Sequence, residues 1–352
     1  MKVLLITSSL SSGGAERVLS TLSNYWVQQG WEIDVFIISA DKQFYTLHKS
    51  INLYTSQNYY SNSIFNYARQ LLDIRKTIKK VKPTLIISFL DLINISTILA
   101  SIGLKIPIII SERNNFDTLK GKHWRMMRRI TYPFTNGMVV QSDYDFQKYN
   151  YVKNKKIIAN PLNKDLLLDA NIEQKQKYII AVGSLTHQKG FDMLIEAINQ
   201  ISIGDWKCYI IGQGQEESNL QQLIEQYAIQ DKISLIGQKK NIFDYYQKAS
   251  IFILSSRYEG FPNVLNEAMA HGCASIAFDC KTGPSEMIKN EKSGFIVEAN
   301  NIGALAKKIE ILINNKELRI SISEEAIKIR EKNDLKKIAS HWEVYLKEVL
   351  ND

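Results

Sequence analysis

The chain has 352 residues, 45% hydrophobic and 23% charged, which excludes a disordered or low-complexity protein and leaves room for two domains, each with its own core. Three cysteines without framework spacing, Cys208, Cys273 and Cys280, exclude a disulfide scaffold and a zinc site and point to a reducing compartment. The net charge of +8 is uneven: residues 1–170 carry 22 Lys+Arg against 12 Asp+Glu, the remainder 22 against 24. The first half is therefore expected to meet something anionic.

Residues 2–8 form an apolar run suited to a buried parallel strand, too short for a signal peptide. A Ser/Gly loop follows, then a helix from about Ala15 whose Val18, Leu19, Leu22, Tyr25 and Trp26 share one face, stopped by Gly30. Further strands are predicted at Glu32–Ile38, Thr84–Ser88, Ile106–Ile110 and Gly137–Val140, with helices between. That alternation is a doubly wound α/β domain. The polar stretch Asn163–Lys177 reads as a linker. From Tyr178 the rhythm restarts, with strands at Tyr178–Val182, Trp206–Ile211, Ile233–Ile236, Ile251–Leu254 and Ala274–Phe278. The end, from about Ile302 to Leu350, is helical by its apolar spacing. Two such domains facing a cleft would carry their chemistry in loops after the strands. No apolar segment approaches the ~20 residues needed to span a bilayer.

One loop stands out. Ser255–Ala270 lies between the strand Ile251–Leu254 and a helix predicted from about Pro262 to His271. Pro262 suits the first helical position. The amides of Asn263, Val264 and Leu265 would then present an anion site, ready for a diphosphate. Glu259 before the helix can reach sugar hydroxyls, and Glu267 within it ribose hydroxyls, because carboxylates accept strong hydrogen bonds from both. The bland alternative is a capped, solvated helix.

Two glutamates with seven residues between them, in the setting Glu259-Gly260-Phe261-Pro262-x-x-x-x-Glu267-Ala-Met-Ala, resemble the signature of the retaining glycosyltransferase family four, which has the GT-B fold. The likeness runs along nearly the whole chain. Ser-Ser-Gly13-Gly14-Ala15-Glu16 resembles that family's first-strand glycine loop, and Val182–Gly190 its second-domain opening. Ile211-Gly212-Gln-Gly214 resembles its next loop, Thr282–Ile288 its late turn, and Ile338–Leu350 its closing helix. The resemblance implies an acceptor-binding Rossmann-like domain over 1–165, a nucleotide-sugar-binding one over 166–337, and a final helix, 338–352, packing back on the first.

It further implies transfer of a hexose or N-acetylhexosamine from a UDP-sugar, with retention, to a glycan acceptor carried on polyprenyl diphosphate, in bacterial polysaccharide synthesis. Glu259 would position the sugar and Glu267 the ribose. Lys189 and the amides of Asn263–Leu265 would hold the diphosphate, with Gly14, Gly212 and Gly260–Pro262 lining the donor. Gly237 and Gln238 would border the base. Ser184 stands where the family usually has an arginine, so one diphosphate contact is weaker or supplied elsewhere. Arg113, in Ser111-Glu112-Arg113-Asn114 after the strand Ile106–Ile110, is assigned to sugar, phosphate or acceptor, oriented by Glu112; it cannot act as a base. Asp143-Tyr-Asp145 matches a metal-binding pattern but sits at a helix start, where acids are common. No metal or cofactor is expected.

Gly121–Ile130 places Trp124, Met126 and Met127 among Lys120, Lys122, Arg125, Arg128 and Arg129, and Ile74–Lys82 adds further cations. Together they fit a face resting on anionic lipid, with the protein cytoplasmic and peripheral at the inner face of the membrane. No nucleic-acid-binding module accompanies the charge, so nucleic acid is not an expected partner. Nicotinamide binding is disfavoured, since the first glycine loop lacks the dinucleotide spacing. Two other functions stay open: a nucleotide-sugar 2-epimerase of the same architecture, and a non-enzymatic binder of sugar nucleotides.

Overall fold

The computed structural model describes residues 1–11, 13–39, 43–56, 64–162 and 170–351. They form two compact units, one of Met1–Pro161 with Leu335–Asp352, the other of Leu162–Asp334.

The first unit contains a parallel sheet of β1 (Lys2–Thr7), β2 (Glu32–Ile37), β3 (Asn52–Thr55), β4 (Leu85–Phe89), β5 (Ile108–Ser111), β6 (Gly137–Val140) and β7 (Lys155–Ile157), in spatial order 3-2-1-4-5-6-7. Its helices are α1 (Gly14–Gln28), α2 (Ile64–Val81), α3 (Asp91–Ala100), α4 (Lys122–Thr131) and α5 (Asp143–Lys148). Alternation along β1 fills both faces: Val3 and Leu5 pack with α1 residues Leu19 and Leu22, while Leu4 and Ile6 pack with Ile74, Ile78 and Ile95 of α2 and α3.

The second unit repeats the plan with β8 (Gln176–Val182), β9 (Lys207–Ile211), β10 (Ile233–Leu235), β11 (Ala249–Leu254), β12 (Ala274–Phe278) and β13 (Phe295–Val297), in order 10-9-8-11-12-13, again parallel. Its helices are α6 (Phe191–Asn199), α7 (Glu217–Gln226), α8 (Phe243–Lys248), α9 (Asn263–Ala270), α10 (Pro284–Met287), α11 (Ile302–Asn314), α12 (Lys316–Ala326) and α13 (Ile329–Lys332). In each sheet the strand order reverses once, between β1 and β4 and between β8 and β11. Loops leaving such neighbouring strands diverge and open a crevice at their carboxyl ends.

The last helix, α14 (Leu335–Asn351), belongs to the first unit. Its Trp342 meets Trp26 edge-on at 6.1 Å. The Tyr345 hydroxyl accepts from the Met138 amide at 2.8 Å and donates toward the carbonyls of Met138 and Asn154. The predicted linker differs from what is found: Ile172–Gln174 is a 3-10 turn and β8 already starts at Gln176, while 163–169 lie outside the described residues. Strands β3, β7 and β13, all at sheet edges, were not predicted.

Candidate active site

The reversal point of the second sheet gathers most of the residues singled out in the sequence. After β8 the chain runs through Gly183 and the exposed Ser184 to a 3-10 turn, His187–Lys189, and α6. After the neighbouring β11 it runs through Ser255 and Ser256 to Glu259 and α9. The Lys189 ammonium lies 2.6 Å from Glu259 Oε1, so these two of the three catalytic candidates, far apart in sequence, form an ion pair, while Arg113 lies in the first unit.

That pair is held by several bonds. Ser256 Oγ donates to the same Glu259 oxygen at 2.6 Å, and Ser255 Oγ donates to the Lys189 carbonyl at 3.0 Å. Thr282 Oγ1 donates to the Glu259 carbonyl, and the Cys280 thiol to that of Ser256 at 2.9 Å. Arg257 forks onto Asp192 at the start of α6, at 2.9 and 2.6 Å, and bonds the His187 carbonyl at 2.7 Å. Such bidentate contacts fix loops with little freedom lost per bond.

Glycine is required where these loops touch. Gly190 has φ +62°, and a Cβ there would fall 2.1 Å from the Ser255 carbonyl oxygen. Gly212 after β9 presses on the Gly183 carbonyl, which a Cβ would approach to 1.8 Å. Gly237 after β10 has φ +68° with open space beside it, followed by the exposed Gln238.

At α9 the structure corrects two expectations. Pro262 is the cap, at φ −75° and ψ 87°, and the helix begins at Asn263. The Leu265 amide donates back to the Pro262 carbonyl at 3.0 Å and is not available to a ligand. Asn263 and Val264 supply the first two helical amides, and that of Val264 has no partner among the described residues. Glu259 and Glu267 are only 6% and 7% exposed, which removes the solvated-helix alternative. Glu267 Oε2 accepts from the Tyr246 hydroxyl at 3.3 Å. Beneath them, Gly260 and Pro262 pack on Gly283, where a Cβ would lie 2.5 Å from Pro262 Cδ, and Phe261 is half-buried. Ser256 and Thr282 fell within the sequence motifs without a role assigned to them, and Tyr246 was not singled out. A serine pair directly after a buried strand was the available signal.

The reversal point of the first sheet is built differently. Gly13 caps α1 and Gly14 is its first residue. The Glu16 carboxylate folds back over them, so close that a Cβ on Gly13 would overlap it. A carboxylate at that mouth suits a hydroxyl-bearing ligand better than a diphosphate. Burial pushes its pKa up.

Glu112, after β5, does not orient Arg113. Its Oε1 accepts from Asn94 Nδ2 at 2.8 Å and from the Tyr132 hydroxyl, and Oε2 has no partner among the described residues. Burial, then the nearby Asp91 charge, pushes its pKa up to about 8. Arg113 points elsewhere, buried between Phe89 and Trp342 at 5.2 and 5.7 Å, with Nη1 donating to Asn160 and Nε and Nη2 unpartnered among the described residues. Asp145 acts in a cap: Ser142 Oγ accepts the Asp145 amide at 3.1 Å, and the carboxylate accepts from Ser142 Oγ and from the Phe116 amide.

Comparison with known proteins gives the family. Residues 166–329 match the family described as "Glycosyl transferases group 1", and residues 12–154 match "Glycosyltransferase Family 4". A relative from Campylobacter jejuni subsp. jejuni, named GalNAc-alpha-(1->4)-GalNAc-alpha-(1->3)-diNAcBac-PP-undecaprenol alpha-1,4-N-acetyl-D-galactosaminyltransferase, is 31% identical over all of this chain and 99% of its own length. Sucrose-phosphate synthase from Thermosynechococcus elongatus shares the fold at TM-score 0.88 and 16% identity, each chain fully covered. Anabaena HepE, solved in complex with UDP, does so at TM-score 0.84 and 17% identity, covering 99% of this chain and 100% of its own. The protein belongs to glycosyltransferase family four, of the GT-B fold, and is a glycosyltransferase of the bacterial polysaccharide type.

Proposed function

We propose that the enzyme moves a hexose or N-acetylhexosamine from a UDP-sugar to a polyprenyl-diphosphate-linked glycan, with retention of configuration. The observation that carries this reading is the Lys189–Glu259 pair at the β8/β11 reversal, beside the amino end of α9. The leaving diphosphate needs positive charge at the moment the bond to the sugar breaks. Lys189 and the Asn263 and Val264 amides supply it from fixed positions. A donor would draw the ammonium from Glu259 to phosphate and free that carboxylate for sugar hydroxyls. Glu267 would take the ribose hydroxyls, with Gly212, Gly237 and Gln238 around the base.

In the reaction the sugar C1–O bond to the β-phosphate breaks as the acceptor oxygen bonds to C1. The acceptor proton leaves on the departing UDP. Because Lys189 and the helix amides already meet the charge, the account requires no metal. For Arg113 the buried setting supports a positioning role, holding Asn160 and the Trp342 ring, in place of direct contact with sugar. No helix among the described residues is long and apolar enough to cross a membrane; a peripheral position at the inner membrane face suits an acceptor whose lipid stays in the bilayer. The lipid-linked acceptor named for the Campylobacter relative supports the acceptor class, and UDP bound to the HepE structure supports the donor class.

The test is a panel of UDP-sugars incubated with and without undecaprenyl-diphosphate-linked oligosaccharide, in the presence and absence of EDTA. The proposal predicts UDP release that depends on acceptor, an α-linked product by NMR, and indifference to EDTA. Sugar conversion without acceptor would instead make the enzyme an epimerase. Binding without turnover would make it a sensor.

A further inference from the structure

Helix α4 is fixed on one side and bare on the other. Arg128 turns inward, stacking on Phe116 at 4.0 Å and donating to the Phe116 carbonyl at 3.0 Å and the Tyr149 hydroxyl at 3.2 Å. Trp124 meets Tyr67 of α2 edge-on at 5.4 Å, and Met127 packs on the core. The helix therefore cannot roll to hide its outer face.

That face carries Met126 and Ile130, followed by Phe134 in the next turn, at 58%, 53% and 75% exposure. Met126 and Ile130, four apart, share one side of α4, and Phe134 follows in the 3-10 turn Tyr132–Phe134. Lys122, Arg125 and Arg129 are exposed beside them, and no acidic residue occurs between Asp117 and Asp143. Helix α2, joined through Tyr67, shows the same mixture: Phe65 and Leu72 are exposed at 76% and 54%, alternating with the outward Arg69 and Lys76.

We propose that α4 and Phe134 dock on an anionic phospholipid bilayer, the apolar line entering the acyl boundary while the cations meet headgroups. The charge decides between occupants. A second copy using the same patch would bring like charges face to face, whereas anionic lipid complements all of them. The inference gains its purpose from the lipid-linked acceptor proposed above, but vesicle binding is measured without donor or acceptor, so either reading can fail alone.

The experiment is flotation of the full chain with phosphatidylglycerol/phosphatidylethanolamine vesicles and with phosphatidylcholine vesicles. Wild-type protein is expected to float with the first and not the second. Met126→Ser/Ile130→Ser/Phe134→Ser should weaken binding about tenfold or more while leaving transfer to a short-chain, water-soluble acceptor unchanged. Lys122→Gln/Arg125→Gln/Arg129→Gln should abolish the preference for anionic lipid. Circular dichroism confirms that both variants fold. The proposal is overturned if the wild type ignores anionic vesicles, or if the variants bind as it does. It also fails if light scattering finds a dimer that the serine variant dissolves.

Discussion

The two sheet reversals in this chain share a topology and differ in how charge is handled. At β8/β11 an ammonium and a carboxylate face each other at 2.6 Å, tied down by serine and threonine hydroxyls. At β1/β4 and the adjoining β5 end, a buried acid sits beside another acid and its pKa rises, while a buried arginine hydrogen-bonds an amide and lies between aromatic rings. The first arrangement can exchange one anion for another, as catalysis of diphosphate departure needs. The second holds uncharged or fixed groups and suits a scaffold for hydroxyl-rich ligands. Equal folds thus give unequal chemistry, and the side chains after the strands decide which.

The sharpest way to break that contrast is at Glu259. Glu259→Gln should lower turnover by about 10²–10³, roughly 3–4 kcal/mol of barrier, with UDP affinity kept; equal loss in Glu112→Gln would erase the distinction between the two sites. Next in size is Gly190→Ala, which combines a left-handed backbone with overlap at the Ser255 carbonyl and should cost about 2–4 kcal/mol in chemical denaturation.

Glu112 sharpens the comparison through pH. Burial pushes its pKa up from the ordinary 4.5 to about 8, so the native state holds the proton more tightly than the unfolded chain. Its contribution is therefore most favourable below about pH 4.5 and is lost as pH rises through about 8. Glu112→Gln should flatten that fall and gain on the order of 2 kcal/mol at pH 8, read from urea melts across the range. The smallest effect expected is Tyr345→Phe, about 1–2 kcal/mol, from losing the hydroxyl's bonds to Met138 and Asn154.

Much of the fold was legible because buried parallel strands such as Leu4–Ile6 and Ile251–Leu254 are unbroken apolar runs. The edge strands Asn52–Thr55 and Lys155–Ile157 carry no such run, since one side of each lacks a neighbour. The Glu259/Glu267 spacing drew attention to the loop after β11, but the Lys189–Glu259 contact joins residues that only the β8/β11 pairing brings together. Glu112 was misread as Arg113's partner from adjacency alone. Consecutive residues leaving a strand point to opposite sides, and that rule already argued against the pairing. Pro262 was placed one position too far into the helix, a boundary shift that moved Leu265 from a bonded to an open amide.

Calorimetric titration of UDP into wild type, Glu259→Gln, and Lys189→Ala made in that Glu259→Gln background tests the account most directly. The double variant leaves no stranded carboxylate, so any loss reports the lysine itself. The prediction is at least about tenfold weaker UDP binding for the double variant than for Glu259→Gln. Equal affinities in the two would place the diphosphate somewhere other than the β8/β11 reversal and contradict the assignment.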